Sequence, residues 1–242
     1  MTGDDGPSKA PLRGVRVLGV LAFLLAAPLC AQEGTTRAEW WPEVDAYVNL
    51  SERSRLFFLA TVARNRAEDL REGTLGAHAD LFVKPFRRPW LLSTPDAVKR
   101  HYLSFRAGYR YSWDLNDVSL YREHRVLLEE TARYRPVRRF ALVNRNRLDL
   151  RDINGEWSWR FRNRSRLERD IPLGSRVATP YFMAEFYYDS RYHAWNRQRY
   201  FAGIEWPIGA SAILDSYYCR QDDSRSSVTH VNAFGLALNL YF

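Results

Sequence analysis

From residue 42 onward, apolar and polar residues alternate along most of the chain. A period of two is that of a β-strand with two unlike faces. Between Leu103 and Tyr111 the odd positions are apolar, and the even ones are small or arginine. Between Tyr181 and Asp189, Phe182, Ala184, Phe186 and Tyr188 alternate with Met183, Glu185, Tyr187 and Asp189. Runs of this kind predict eleven strands, at 42–50, 55–65, 74–84, 99–113, 118–134, 138–152, 156–170, 178–190, 196–206, 210–221 and 228–242. Their separators are rich in turn formers, such as Ser51-Glu52-Arg53, Asp114 to Asp117 and Pro207-Ile208-Gly209.

The clearest pair spans Arg139 to Asp170. Two runs of about fourteen residues flank Asn154-Gly155, the dipeptide suited to a type I′ turn because both central residues need positive φ. Counting outward pairs Arg151 with Ser158, Asp149 with Arg160, Arg147 with Arg162, Arg145 with Arg164, Ala141 with Glu168 and Arg139 with Asp170. The opposite face pairs Leu150 with Trp159, Leu148 with Phe161 and Leu142 with Leu167. One face is therefore rich in arginine and the other is apolar and aromatic. Soluble strands usually run to about five or six residues. Length and pattern together predict an all-β fold, a single transmembrane antiparallel up-and-down β-barrel, polar inside and lipid-facing outside. Bacterial barrels of this kind have an even number of strands and both termini in the periplasm. Twelve strands are thus expected, the missing one near Trp90-Leu91-Leu92 within residues 85–98, with ten as the alternative.

The two ends of the chain agree with secretion. Lys9, Arg13 and Arg16 precede an apolar run from Val17 to Leu29, followed by Cys30-Ala31-Gln32. This is the order of a signal peptide, here residues 1–31, and the run is too short for a membrane helix. Leu29 before Cys30 argues against a lipoprotein site. Residues 32–41 read as a short periplasmic segment, and 42–242 as the barrel. At the other end Phe234, Leu236, Leu238, Leu240 and Phe242 alternate with Gly235, Ala237, Asn239 and Tyr241. A last strand of this form resembles the signal read by the barrel assembly machinery of the outer membrane. Trp113, Trp157, Trp159, Tyr188, Tyr200 and Trp206 are expected near strand ends on the outer face, as aromatic girdles. The expected location is the outer membrane of a Gram-negative bacterium, with membrane lipid and the assembly machinery as partners.

Several segments carry a family resemblance. WPEVDAYVNLSERSRLFF, LFVKP, FRAGYRYSW, YREHRVLLE, NRNRLDLRDINGEWSWRFRNRSRLER, PYFMAEFYYDSRYHAWNRQRYFAG and LNLYF follow one another across nearly the whole mature chain. Together they resemble a family of bacterial outer-membrane barrels known as a domain of unknown function, number twenty-four-ninety. The resemblance implies a secreted barrel. It carries no activity, ligand or catalytic residue.

Charge sharpens the functional question. The chain has a formal net charge of +8, yet secretion and the alternation of its arginines along strands speak against nucleic acid. Arg145, Arg147, Arg160, Arg162, Arg164 and Arg166 form a ladder on the inner face. Like charges directly opposed, Arg145 with Arg164 and Arg147 with Arg162, destabilise a sheet unless neutralised. Flanking strands offer Glu123, Glu129, Glu185 and Asp189 on the same face, and the hairpin itself offers Asp149 and Glu168. On one reading these make a salt-bridged core, giving a structural or surface-binding barrel or a narrow channel. On the other, the guanidinium forks line a path for an anionic solute such as an acidic oligosaccharide, as in an anion-selective porin.

A lipid-modifying hydrolase is the third reading, with Ser165 as nucleophile and His124 as base. Counting places His124 near Leu148, far from Ser165, and no GxSxG or HExxH motif occurs. No zinc or iron–sulfur spacing occurs, and no cofactor or metal site is expected. Beyond the signal Cys219 is the one cysteine, read as packed rather than reactive. Asn144, Asn146, Asn163 and Ser165 map to the outer face, where polar groups are costly. Either a local bulge turns them inward, or protein covers them, as in an oligomer.

Overall fold

The computed structural model describes residues 36–64, 71–86, 94–116, 121–137, 139–174 and 176–242. The signal segment with Cys30 and the Trp90-Leu91-Leu92 stretch lie outside these residues. Twelve strands follow one another: β1 (Thr36–Asn49), β2 (Ser54–Arg64), β3 (Arg71–Pro85), β4 (His101–Asp114), β5 (Arg122–Tyr134), β6 (Phe140–Ile153), β7 (Glu156–Arg169), β8 (Ile171–Leu173), β9 (Arg176–Asp189), β10 (Ala194–Pro207), β11 (Ala212–Asp223) and β12 (His230–Tyr241). No α-helix occurs among the described residues. A 3-10 turn, Ala97–Arg100, leads into β4.

Eleven long strands close on themselves. Each pairs antiparallel with its neighbour, and β9 joins β7 to β10. The ring shuts where β1 meets β12 in parallel, from Thr36↔His230 to Tyr47↔Tyr241. The parallel seam follows from the count: eleven strands laid alternately up and down leave the first and last pointing the same way. This corrects two expectations. The ring holds the eleven strands read from the alternation and not twelve, and the twelfth strand is the short β8, a hairpin arm on β9. Thr36 and Phe242 therefore stand at opposite ends of the barrel. Residues 36–41, read as a lead-in segment, are the start of β1.

The central hairpin takes the counted register, from Ile153↔Glu156 through Arg147↔Arg162 to Phe140↔Arg169. Asn154 and Gly155 have φ of 55° and 90°, both positive as the turn demands. The fold is inverted relative to a soluble domain. Leu128, Leu142, Leu150, Trp159, Phe182 and Phe234 are exposed on the outer face, while Glu123, Arg147, Asp149 and Glu185 are buried inside. Trp159 and Tyr188 stack outside with ring centres 5.4 Å apart. Tyr200 lies mid-strand in β10 rather than near an end.

The interior has two unlike walls. β9 to β12 bring Tyr181, Met183, Phe201, Cys219, Val231 and Ala233 into an apolar cluster; Cys219 is fully buried there. Across the seam, the in-register residues Tyr241, Tyr47, Phe57 and His78 stack face to face, with successive ring centres 4.9, 4.7 and 4.7 Å apart. Two glycines make room for such rings. A Cβ on Gly235 would sit 2.0 Å from the Tyr217 ring, and one on Gly108 would sit 2.2 Å from His78. The other wall, β4 to β7, is charged.

Candidate functional site: the charged lumen

Alternation on β5, β6, β7 and β9 aims all six ladder arginines and all six predicted carboxylates inward, and the strands bring them together. Arg147 Nε donates to Asp149 at 2.6 Å, and Arg162 lies 3.6 Å from the other oxygen of Asp149. Glu185 is the hub on β9. It accepts from Arg162 at 2.9 Å and from Arg164 at 3.1 Å, with Arg145 at 3.7 Å. Arg145 also lies 3.5 Å from Glu129. Arg160 donates to Asp189 at 2.8 Å, and Arg166 pairs with Glu168 at 3.0 Å. Glu123 takes Arg151 at 2.7 Å and Arg125 at 2.6 Å. The two opposed arginine pairs are thus each neutralised by carboxylates woven between them, which removes the like-charge penalty. Asp149, Glu185 and Asp189 are at most 1% exposed.

A cavity of about 920 Å³ runs along the barrel between these walls. Its lining includes residues that the hairpin-centred reading did not single out. Arg106 on β4 binds Asp80 at 2.6 Å, and Arg55 on β2 shares that carboxylate. The alternation of β4 had already marked Arg106 and Arg110 as inward. Glu39, Glu43 and Asp45 carry the same period-two signal on β1. Nothing local in the sequence pointed to Glu205 or Lys99, because their partner lies across the lumen.

The 3-10 turn stands at one mouth, at the end where β12 finishes. Asp96 caps the turn through the Val98 amide at 3.2 Å and accepts from Arg55 at 2.8 Å. Lys99 is 3% exposed and bonds Glu205 on β10. In the ring β10 stands five strands from β4 one way and six the other, so this ion pair crosses the mouth from wall to wall. Burial opposes the charge of Lys99, but Glu205 and Glu168 outweigh it and hold the ammonium above its ordinary value. Residues 99–100, read as the start of a strand, belong to this turn.

The outer face answers two further expectations. His124 pairs with Asp152, not Leu148. Ser165 pairs with Asn144, eight residues from Asp152 along β6, or roughly 27 Å at ~3.4 Å per residue. The two cannot act as nucleophile and base; His124 instead bonds the Tyr109 hydroxyl at 2.5 Å. Asn144, Asn146, Asn163 and Ser165 stay on the outer face. The β6–β7 register is unbroken, so no bulge turns them inward. They satisfy one another: Asn163 donates to Asn146 at 2.8 Å, Asn146 to Asn144 at 3.3 Å, and Asn144 to Ser165 at 3.1 Å. Among the described residues no three His, Cys, Asp or Glu converge to hold a metal ion.

The model of a family described as a protein of unknown function, DUF2490, matches residues 97–232. The chain belongs to this family. The match begins at the 3-10 turn and ends inside β12, so it takes in the whole charged wall of this DUF2490 barrel and leaves β1 to β3 outside. No curated protein and no solved structure matches the chain.

Proposed function

We propose that this protein is an outer-membrane β-barrel of a Gram-negative bacterium, structural or surface-binding in role, with a narrow ion-paired lumen instead of an open anion path. Support for the membrane comes from the inverted distribution of residues. Contiguous exposed apolar area on this scale is rare on a soluble monomer, and the eleven ring strands, of 11 to 15 residues, meet or exceed the ~9–11 needed to cross a bilayer. Lipid and the assembly machinery are its partners on this reading, the latter through Phe234, Leu236, Leu238, Leu240 and Phe242.

One observation carries the choice of lumen. Every arginine of the ladder has a carboxylate within 3.7 Å, so its charge is committed to the wall and not offered to passing anions. The Lys99–Glu205 bar across the mouth points the same way. The reading is tested by reconstituting the full chain in a planar bilayer. Little or no current is expected; a stable current with strong anion preference would overturn it and restore the porin reading.

A further inference from the structure

We propose that the lumen binds a small zwitterionic solute, its anionic oxygens on Arg110 and its ammonium group on Glu43 and Asp45. The proposal rests on the ion-paired lumen argued above. Within that lumen most charges are matched in ion pairs; Arg199, Glu72 and Asp215 are not, and are held by the neutral groups of Gln221, Thr74 and Tyr181, and two further sets remain. On β4, Arg110 has no ion-pair partner among the described residues. Its Nε donates to His78 Nε2 at 3.0 Å. His78 gives its other ring nitrogen to the Phe57 carbonyl at 3.2 Å, so the tautomer with a proton on Nδ1 satisfies both bonds, and the imidazole is neutral. It orients Arg110 without compensating it. The neighbouring cations are committed elsewhere: Arg125 to Glu123, Arg147 to Asp149 and Arg162 to Glu185. Arg147 nonetheless keeps Nη2 buried and without a hydrogen-bond partner, a second donor lining the same cavity.

On β1, Glu43 and Asp45 have no cationic partner among the described residues. Asp45 is 5% exposed, yet its Oδ1 has no hydrogen-bond partner; its other oxygen takes only the Tyr47 hydroxyl at 3.2 Å. Glu43, Asp45, Arg110 and Arg147 all line the same cavity. Asp45 and Arg110 stand in one row across the sheet, Asp45 opposite Leu59, Leu59 opposite Gly76 and Gly76 opposite Arg110, with only the side-chain-free glycine next to the arginine, and no ion pair joins Arg110 to Glu43 or Asp45. Opposite charges therefore face one another across a space that a small molecule can fill.

Desolvated charge without a partner is costly. A simple anion would relieve Arg110 and leave the buried Asp45 Oδ1 without a partner. A simple cation would do the reverse. A molecule that carries an ammonium and a carboxylate satisfies both sides at once, with charge-assisted hydrogen bonds at each end.

Isothermal titration calorimetry on the purified full chain in detergent tests this, with glycine, 4-aminobutyrate, acetate and ethylammonium as separate probes. At least one of the two zwitterions should bind ten-fold or more tightly than either singly charged probe. Asp45→Asn and Arg110→Gln should each weaken that binding by at least ten-fold while the protein keeps its heat-modifiable gel migration. Acetate binding as well as the zwitterions, or no binding of any probe, would overturn the proposal, and that comparison needs no variant. An open anion current would instead sink the ion-paired-lumen reading, leaving the calorimetric result to stand or fall separately.

Discussion

Replacing Arg147 and Arg162 together by glutamine separates an ion-paired wall from an open arginine path. Both residues hold Asp149, at 2.6 and 3.6 Å, and Asp149 is 0% exposed. The other carboxylates keep partners: Glu185 retains Arg164 and Arg145, and Glu129 retains Arg145. The double change therefore strands one buried carboxylate. Breaking a buried pair from one side costs about 3–5 kcal/mol. Relief of the directly opposed arginines returns up to about 1 kcal/mol. Protonation of the stranded acid caps the loss at about 4 kcal/mol at pH 7, since each pH unit above the ordinary carboxylate value is worth about 1.4 kcal/mol. A net loss of about 2–4 kcal/mol is expected in urea unfolding of vesicle-embedded protein, followed by tryptophan fluorescence. The cap shrinks as the pH falls toward about 4, so the deficit should be smaller at pH 5 than at pH 7. Adding Asp149→Asn to the double variant should recover at least half of the loss, because the three sites act as one unit. A double variant as stable as the unchanged chain, or a triple variant that recovers nothing, would refute the reasoning.

Asp96→Ala with Lys99→Ala removes the two ion pairs that tether the 3-10 turn and should raise bilayer conductance several-fold; unchanged currents would show that the turn is no plug. Deleting Phe242 removes an amide that donates to the Tyr47 carbonyl at 2.8 Å and a carbonyl that accepts from Asn49 at 2.9 Å. The outer-membrane fraction and the heat-modifiable band should both fall, and normal assembly would count against its role at the seam. Gly235→Val drives a side chain into the Tyr217 ring and should cost about 1–3 kcal/mol in the same urea assay. Ser165→Ala and His124→Ala should leave the cellular lipid profile unchanged; loss of a lipase or deacylase activity in either would revive the hydrolase reading.

Local pattern was the part of this fold that the sequence made legible. The two-residue Asn154-Gly155 turn pins the register of β6 against β7, and period two then decides every inward and outward residue in both. That is why the arginine ladder and its carboxylates are legible in the sequence. Closure was not legible, because it is a property of the ring. The even-number rule overrode a correct count of eleven, since nothing local in β1 or β12 says that they will meet in parallel. Contacts across the lumen were hidden for the same reason. Lys99 finds Glu205 only once β4 and β10 face each other. The outer Asn144 to Ser165 cluster was visible as an anomaly, but its hydrogen bonds depend on rotamers that no spacing encodes.

The parallel seam also gives the barrel a built-in compass. In an even-stranded barrel the two chain ends leave by the same door and say nothing about which way up the molecule sits. Here Thr36 and Phe242 leave by opposite doors. If the terminal phenylalanine stands on the periplasmic side, as an assembly signal requires, the start of β1 stands at the cell exterior. A label placed ahead of Thr36 and another placed after Phe242 would then report from two different compartments of the same cell.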